Sequence, residues 1–505
     1  MKLFTAEQTR TIDKYTIENE PIASIDLMER ASIHCTSWLV NNFKRSQCFN
    51  IFIGCGNNGG DGLAIARLLS AKDFKAKIFL INISKKYSPD FITNLQRLKK
   101  TGLVQIDEVS EKNQLPQINK DDVVIDAIFG SGLSRPIDGL ALETINYLNN
   151  CNAHKVAIDI PSGLPGEGVV SKSTAFKAQY TLTFQSPFLS FFFPENFEFI
   201  GKWVVLNIGL HPNIIKSLQT DYFTTEITDV DLKERPEFGH KGTFGHALII
   251  AGSKGMAGAA ILSARACLKS GCGLVSVYTP SANNNIIQSS FPEAIVINDV
   301  SESFISSIPE LTKYSSIAIG PGIGTSTVTQ NAITELLSKC NVPVVFDADA
   351  LNILANKPKL LFQLPENSIL TPHPGEFDRL FGKSNNSYER FLKQQQMAIK
   401  CNIIIVLKGR YTSVAMSDGK CYFNTNGNNG MATGGSGDVL TGIIGSLLAQ
   451  GYEPEMAAKL GVFLHGLAGD IARQNIEPES IIASDIINNI SNAFTTIKLS
   501  KNETN

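Results

Sequence analysis

Residues 54–62 read GCGNNGGDG and follow the apolar run CFNIFI at residues 48–53. The order is strand, tight turn, helix. Glycines after a strand let the backbone turn sharply and approach a ligand, and the helix that follows presents unpaired N–H groups to a phosphate. Gly54, Gly56 and Gly59 form a literal G-x-G-x-x-G. A nicotinamide-cofactor cradle also needs an acidic residue at the end of the next strand, ~20 residues on, for the ribose hydroxyls. Here that strand, KAKIFLIN, ends in Asn82 and runs into ISKK. The acid is missing, and a second asparagine, Asn58, and Asp61 are added within the loop. The stretch therefore reads as an α/β phosphate loop that is not an ordinary hydride-transfer cradle; a Gly-rich turn without a ligand is the bland alternative.

Working outward, strand-like runs (FNIFIG, AKIFLIN, DVVIDAIFG, KVAIDIPSG, YTLTF, KWVVLNIG) alternate with helical spacing from residue 48 to about 208. Two helical segments, near 5–19 and 24–43, precede them. Strands separated by helices imply a parallel sheet covered on both faces. The pattern breaks at LHPN and ITDVDLKERPEFGHKG, then a second series starts at HALIIAGS and continues through LVSVYTP, SIAIGPG, VPVVFDADA, SILTPHPGE, NIIIVLKG and SVAMSDGKCYFN. The expected organisation is two tandem α/β domains, 1–215 and 236–495, with a linker at 216–235 and a mobile tail at 496–505.

At 505 residues the chain is too long for one typical domain. It is 43% hydrophobic and 18% charged, which fits a globular protein. A net charge of −2 gives no electrostatic case for a nucleic-acid or anionic-membrane partner. The nine cysteines are scattered, odd in number and without a CxxC pair, as expected of reduced thiols in a cytoplasm. The start lacks an apolar signal core, and no run approaches the ~18 apolar residues of a membrane span.

Two more loops fall at strand ends. IDAIFGSGLSRP offers Asp126 and a Gly-rich turn to Arg135, and AIDIPSG offers Asp159 and Ser162. Both aspartates end apolar strands, so their carboxylates are expected at a sheet edge facing a cleft; the alternative is a cap or turn former. Together, NNGGDG, DAIFGSGLSRP and DIPSG resemble the N-terminal domain of the NAD(P)H-hydrate epimerases, over roughly residues 1–215. The resemblance implies a Rossmann-like α/β/α sandwich. It implies that a hydrated nicotinamide dinucleotide is bound by Asn58, Gly59, Gly60, Asp61 and Gly62. The second loop would add Gly130, Ser131, Gly132, Leu133, Ser134, Arg135 and Pro136. Potassium would be held by Asn58, Asp126 and Ser162, and Asp159 would be the acid–base residue at the reacting ring.

In the second domain the densest signal is NGNNGMATGGSGDVLTGIIGSLLAQ, residues 426–450. Gly434, Gly435 and Gly437 precede Asp438, which opens an apolar helix. Such a turn aims several N–H groups at one spot, an anion hole for a migrating phosphoryl group. Asp438 beside it can orient and deprotonate a hydroxyl, and the helix N-terminus is expected to lower its pKa. An aspartate N-cap is the bland reading. TGGSGDVLTG resembles the ribokinase-like kinases. KGTFGHALIIAGSKGMAGAAILSARACLKSGCGLV, IGPGIG, FDADALN, LTPHPGEFDRL and IVLKG, in order from about 230 to 495, are similar to the NAD(P)H-hydrate dehydratase branch.

That resemblance implies a ribokinase-like α/β/α domain that phosphorylates the hydrate hydroxyl and lets phosphate leave, with ADP as donor and magnesium. Asp438 would be the base, and Gly434, Gly435, Ser436 and Gly437 the anion hole near the nucleotide. Lys408 and Gly409 would meet the donor, and His373 the hydrate. Ala259 and Gly322 would line the dinucleotide, and Glu376 would hold magnesium through water. Asp347 and Asp349 are either site-edge acids or helix caps. His240, Lys241 and His246 have no partner at zinc-like spacing. The alternative to a bifunctional repair enzyme is a ribokinase-like small-molecule kinase fused to a nucleotide- or protein-binding module. Small-molecule substrates (hydrated NADH or NADPH, and ADP) and a homo-oligomer in the cytoplasm complete the expectation.

Overall fold

Alternate residues of the N-terminal strands serve two separate cores. Ile51, Ile53, Val123 and Ile125 pack on one face, and Phe52, Val124 and Ala157 on the other. A strand buried on both faces reads as a continuous apolar run, and such strands belong to parallel sheets clad in helices. The computed structural model describes residues 1–132, 136–170 and 174–502. Lys2–Thr220 with Asn386–Tyr388 make one compact unit, and most of the chain from Asp221 onward makes a second.

The first unit holds β1 (Cys48–Ile53), β2 (Lys75–Ile81), β3 (Gln105–Val109), β4 (Val123–Ala127), β5 (His154–Ile158), β6 (Tyr180–Phe184) and β7 (Lys202–Leu206). They pair in the order β3-β2-β1-β4-β5-β6-β7, parallel throughout. The two early helices are Ala6–Asn19 and Ser24–Asn42, as the spacing predicts.

The second unit holds β8 (Tyr222–Thr225), β9 (His246–Ile250), β10 (Leu274–Pro280), β11 (Ile295–Asp299), β12 (Ser316–Ile319), β13 (Val344–Phe346), β14 (Ile369–Leu370), β15 (Ile404–Leu407), β16 (Ser413–Ala415) and β17 (Cys421–Asn424). The order is β11-β10-β9-β12-β13-β14-β15-β16-β17-β8, with β16 antiparallel to both neighbours. β8 lies inside the stretch read as linker and pairs parallel with β17. The last helix, Ala483–Asn502, runs past residue 495, where the sequence reading ends the domain. The helix Ser436–Ala449 is buried along nearly its whole length. Its sequence is accordingly apolar all round rather than striped.

Candidate functional site

In the first unit the strand order reverses between β1 and β4, and ligands of open α/β sheets gather beyond the strand ends at such a point. A cleft of about 510 Å³ opens there, lined among others by Asn58, Asp61, Gly130, Ser131, Gly132 and Asp159. The helix Asn57–Ser70 begins at Gly56 with no capping side chain, so its first N–H groups remain free for an anion. Gly59 is required by packing: a Cβ there would lie 2.0 Å from the carbonyl oxygen of Gly54. Gly60 and Gly62 are buried in the same way, against Met28 and against Ile53. Pro136 is exposed. Leu133, Ser134 and Arg135 lie outside the described residues.

Asn58, Asp126 and Ser162 come together. Ser162 donates from N and Oγ to the Asp126 carboxylate at 2.7 and 2.6 Å. Its Oγ accepts from Phe129 N at 2.8 Å, and Phe129 O accepts from Asn58 Nδ2 at 2.8 Å. Asn58 Oδ1 is buried and has no hydrogen-bond partner. The hydrogen-bonded cluster linked through Phe129 thus contains a carboxylate, a hydroxyl and carbonyl oxygens, and the Asn58 amide oxygen is left without a partner; these are donors of the hard-oxygen kind. No cluster of three His, Cys, Asp or Glu with metal-binding geometry occurs among the described residues. The expectation that Asp126 faces the cleft is corrected: it is 0% exposed, within β4, and its oxygens bind the Ser162 loop and Ile128 N.

Asp159 does line the cleft. It follows β5 with φ +66°, a strained backbone for a non-glycine residue, while its N–H is tied to Leu182 O at 2.7 Å. Burial, then the charge of Asp13, pushes its carboxyl up to about 7. Asp61 is also held well above the ordinary range, by burial and by Asp159 and Asp13. Asp13 and Arg10, from the helix Ala6–Asn19, line the same cleft and escaped the sequence reading.

In the second unit a cleft of about 730 Å³ is lined by His373, Lys408, Gly409, Ser436 and Gly437. The loop Asn426–Asn429, which opens the glycine-rich stretch singled out in the sequence, lines it too, as do Arg410 and His465, which the sequence reading missed. Gly435 caps the helix Ser436–Ala449 in the left-handed region, φ +87°, where a side chain would be strained and would strike Leu262. With no capping side chain, the helix start presents its N–H groups, and Gly434 before it is exposed. A Cβ on Gly437 would sit 3.4 Å from Lys408 Nζ, so the lysine stands directly over the turn.

Lys408 Nζ pairs with Asp347 Oδ1 at 2.8 Å and lies 3.9 Å from Glu376 Oε2. Burial works against its charge, but Asp347 and Glu376 outweigh it and hold the ammonium above its ordinary pKa. Asp347 is thereby a site acid, 1% exposed, and also accepts from Thr441 Oγ1 at 2.7 Å. Burial, then Asp347 and Asp349, raises the Asp438 carboxyl to about 7 against the pull of Lys408. This corrects the expectation of a lowered pKa. A helix terminus contributes about 0.3–1 kcal/mol, less than desolvation beside two like charges.

His373 caps the helix Pro374–Phe381 through Nδ1, which accepts from Gly375 N at 3.0 Å and Glu376 N at 3.3 Å. Glu376 returns the bond to His373 N at 2.8 Å. Ala259 and Gly322 are brought together: a Cβ on Gly322 would lie 3.2 Å from that of Ala259. They are not part of the cleft that His373 lines. Asp349 ties their loop to the acids, accepting from Gly324 N at 2.9 Å.

Two family models match the chain: YjeF-related protein N-terminus over residues 24–189, and NAD(P)H-hydrate dehydratase over residues 247–492. Over 509 residues, 96% of this chain and 95% of the relative, it is 34% identical to the bifunctional NAD(P)H-hydrate repair enzyme Nnr of Moorella thermoacetica. The chain belongs to the bifunctional NAD(P)H-hydrate repair enzyme family. The Thermofilum pendens and Coxiella burnetii members are each 32% identical, over 99% and 96% of this chain and 97% of each relative. Among solved structures, an ADP/ATP-dependent NAD(P)H-hydrate dehydratase from Bacillus subtilis co-crystallized with ATP/Mg2+ is 32% identical, with a TM-score of 0.49. It covers 55% of this chain and 98% of its own. No described helix is long and apolar enough to cross a membrane.

Proposed function

We propose that the first unit interconverts the R and S epimers of hydrated NADH and NADPH, and that the second returns the S epimer to the reduced dinucleotide with ADP as donor. The observation that carries the second half is Asp438 at an uncapped helix start with Lys408 over the same turn. Hydroxide is a poor leaving group, and phosphorylation makes its oxygen a good one. Asp438 takes the proton of the C6 hydroxyl as that oxygen bonds the terminal phosphorus of ADP and the bridging P–O bond breaks, releasing AMP. The turn Gly434–Gly437 and Lys408 balance the charge on the migrating group. Phosphate then departs with the C6–O electrons, C5 loses a proton, and the ring double bond is restored. At a pKa near 7, Asp438 is poised to accept a proton at neutral pH.

Magnesium supplies charge neutralisation on the donor phosphates. Glu376 is committed to the His373 cap and to Lys408, so the ion would draw its ligands from phosphate oxygens and water. In the first unit, Asn58, Asp126 and Ser162 would hold potassium; the unpartnered Asn58 Oδ1 supports this reading. Asp159 would exchange protons with the hydrate. The nine cysteines, all free, fit the reducing cytoplasm, and a homo-oligomer is the expected assembly.

The test is to incubate pure protein with mixed hydrate epimers, with ADP and separately with ATP, and follow both epimers by chromatography. Recovery of the dinucleotide with stoichiometric phosphate is expected. Accumulation of a stable phosphorylated product would assign a small-molecule kinase instead.

A further inference from the structure

Asp13 belongs to the N-terminal helix, yet it lines the same cleft as Asp159 and Asp61. The helix is firmly held: Thr5 and Gln8 form a capping box, and Thr16 Oγ1 accepts from His211 N at 3.0 Å. Among the charges acting on Asp159, that of Asp13 is the largest, and burial lifts Asp13 itself to about 6. The other charged groups lining the cleft are Arg10 from the same helix, Asp61 from the helix Asn57–Ser70, and Lys86 from the loop after β2. The cleft also contains the buried, unpartnered Asn58 Oδ1, an independent mark of a ligand. Of the three carboxyls that line the cleft, Asp61 lies on the glycine-loop helix, whereas Asp13 and Asp159 reach it from separate elements, the N-terminal helix and the end of β5, so that one can give a proton while the other takes one.

We propose that Asp13 is the second acid–base residue of epimerisation, acting with Asp159; this rests on the epimerase reading above. One carboxylic acid gives its proton to the C6 hydroxyl as the C6–O bond breaks, the N1 lone pair forms N1=C6, and water leaves. The other carboxylate takes a proton from a water whose oxygen bonds C6 on the opposite face, and the N1=C6 pair returns to nitrogen. One water departs and one enters, a proton passes from one carboxyl to the other, and solvent resets the pair.

The experiment uses the full chain and a purified single epimer in 18O-water. The wild type is expected to yield the other epimer carrying the label. Asp13→Asn is expected to lower kcat for interconversion about 100-fold, change KM by less than about threefold, and flatten one limb of the pH profile. Asp13→Glu is expected to recover part of the rate. Wild-type kcat with both limbs intact in Asp13→Asn, or a raised KM alone, would overturn the assignment. An unlabelled product from the wild type would overturn the water-exchange step. A wild type that dehydrates the S epimer but interconverts nothing would overturn the epimerase reading itself, and the inference with it.

Discussion

Lys408 Nζ lies 2.8 Å from Asp347 Oδ1, and the other oxygen of that carboxylate accepts the Thr441 hydroxyl. The ion pair joins the ends of β13 and β15 beside the turn that precedes Asp438. Lys408→Met leaves a buried carboxylate without its cation, a cost of about 3–5 kcal/mol. Denaturant unfolding should show that loss, and phosphate release should fall to background. The double variant Lys408→Met/Asp347→Asn is expected to regain stability but not activity. Restored turnover in the double variant would exclude Lys408 from the chemistry.

Asp438→Asn separates chemistry from stability. Dehydration should drop by about 1000-fold or more, within the range for a lost general base. The folded pKa near 7 exceeds the unfolded value, so the native state binds more protons between those values and its stability falls as pH rises through about 7. The amide removes that penalty. Its Tm should exceed the wild type at pH 8 and match it at pH 4; an equal offset at both would show that the carboxyl is not shifted.

Epimer interconversion should depend on potassium. Replacing potassium with choline is expected to slow it about tenfold or more, with no effect on folding of the second unit. Asn58→Leu removes the orphaned oxygen and should abolish the potassium response. A persistent response in that variant would place the ion elsewhere.

Gly59→Ala tests the close approach beneath the first loop. Its Cβ would meet Gly54 O at 2.0 Å, so backbone must shift. Overpacking of this kind costs about 1–3 kcal/mol. Thermal unfolding of the first unit should move down accordingly, and an unchanged transition would mean that the helix start can slide.

The central strands were legible because they are buried on both faces, as in CFNIFI and HALII. The sequence reading missed β3, β8 and β11, which terminate their sheets. An edge strand is half solvated, and QIDEV and IVIND carry polar residues that erase the apolar run. The loop residues Asn58, Asp159, Ser436 and Asp438 were legible because glycine-rich turns at strand ends announce themselves. Asp13, Arg10 and His465 were not, since a polar residue on a helix looks the same whether it meets solvent or a cleft. Burial pushes His465 down to about 4 and Ser436 Oγ lies 3.3 Å away, neither of which its helical context discloses.

By itself the sequence determined two α/β units, their strand-end loops, and which of those loops have the residues for phosphate and proton chemistry. These are local properties, set by hydrophobic period and turn chemistry. The tertiary structure decided which carboxyls are pushed up toward neutrality, that Asp126 is buried behind its cleft, and that Lys408 answers to Asp347. Those outcomes depend on desolvation and on charges that lie many residues apart along the chain, and only folding brings such charges within reach of one another.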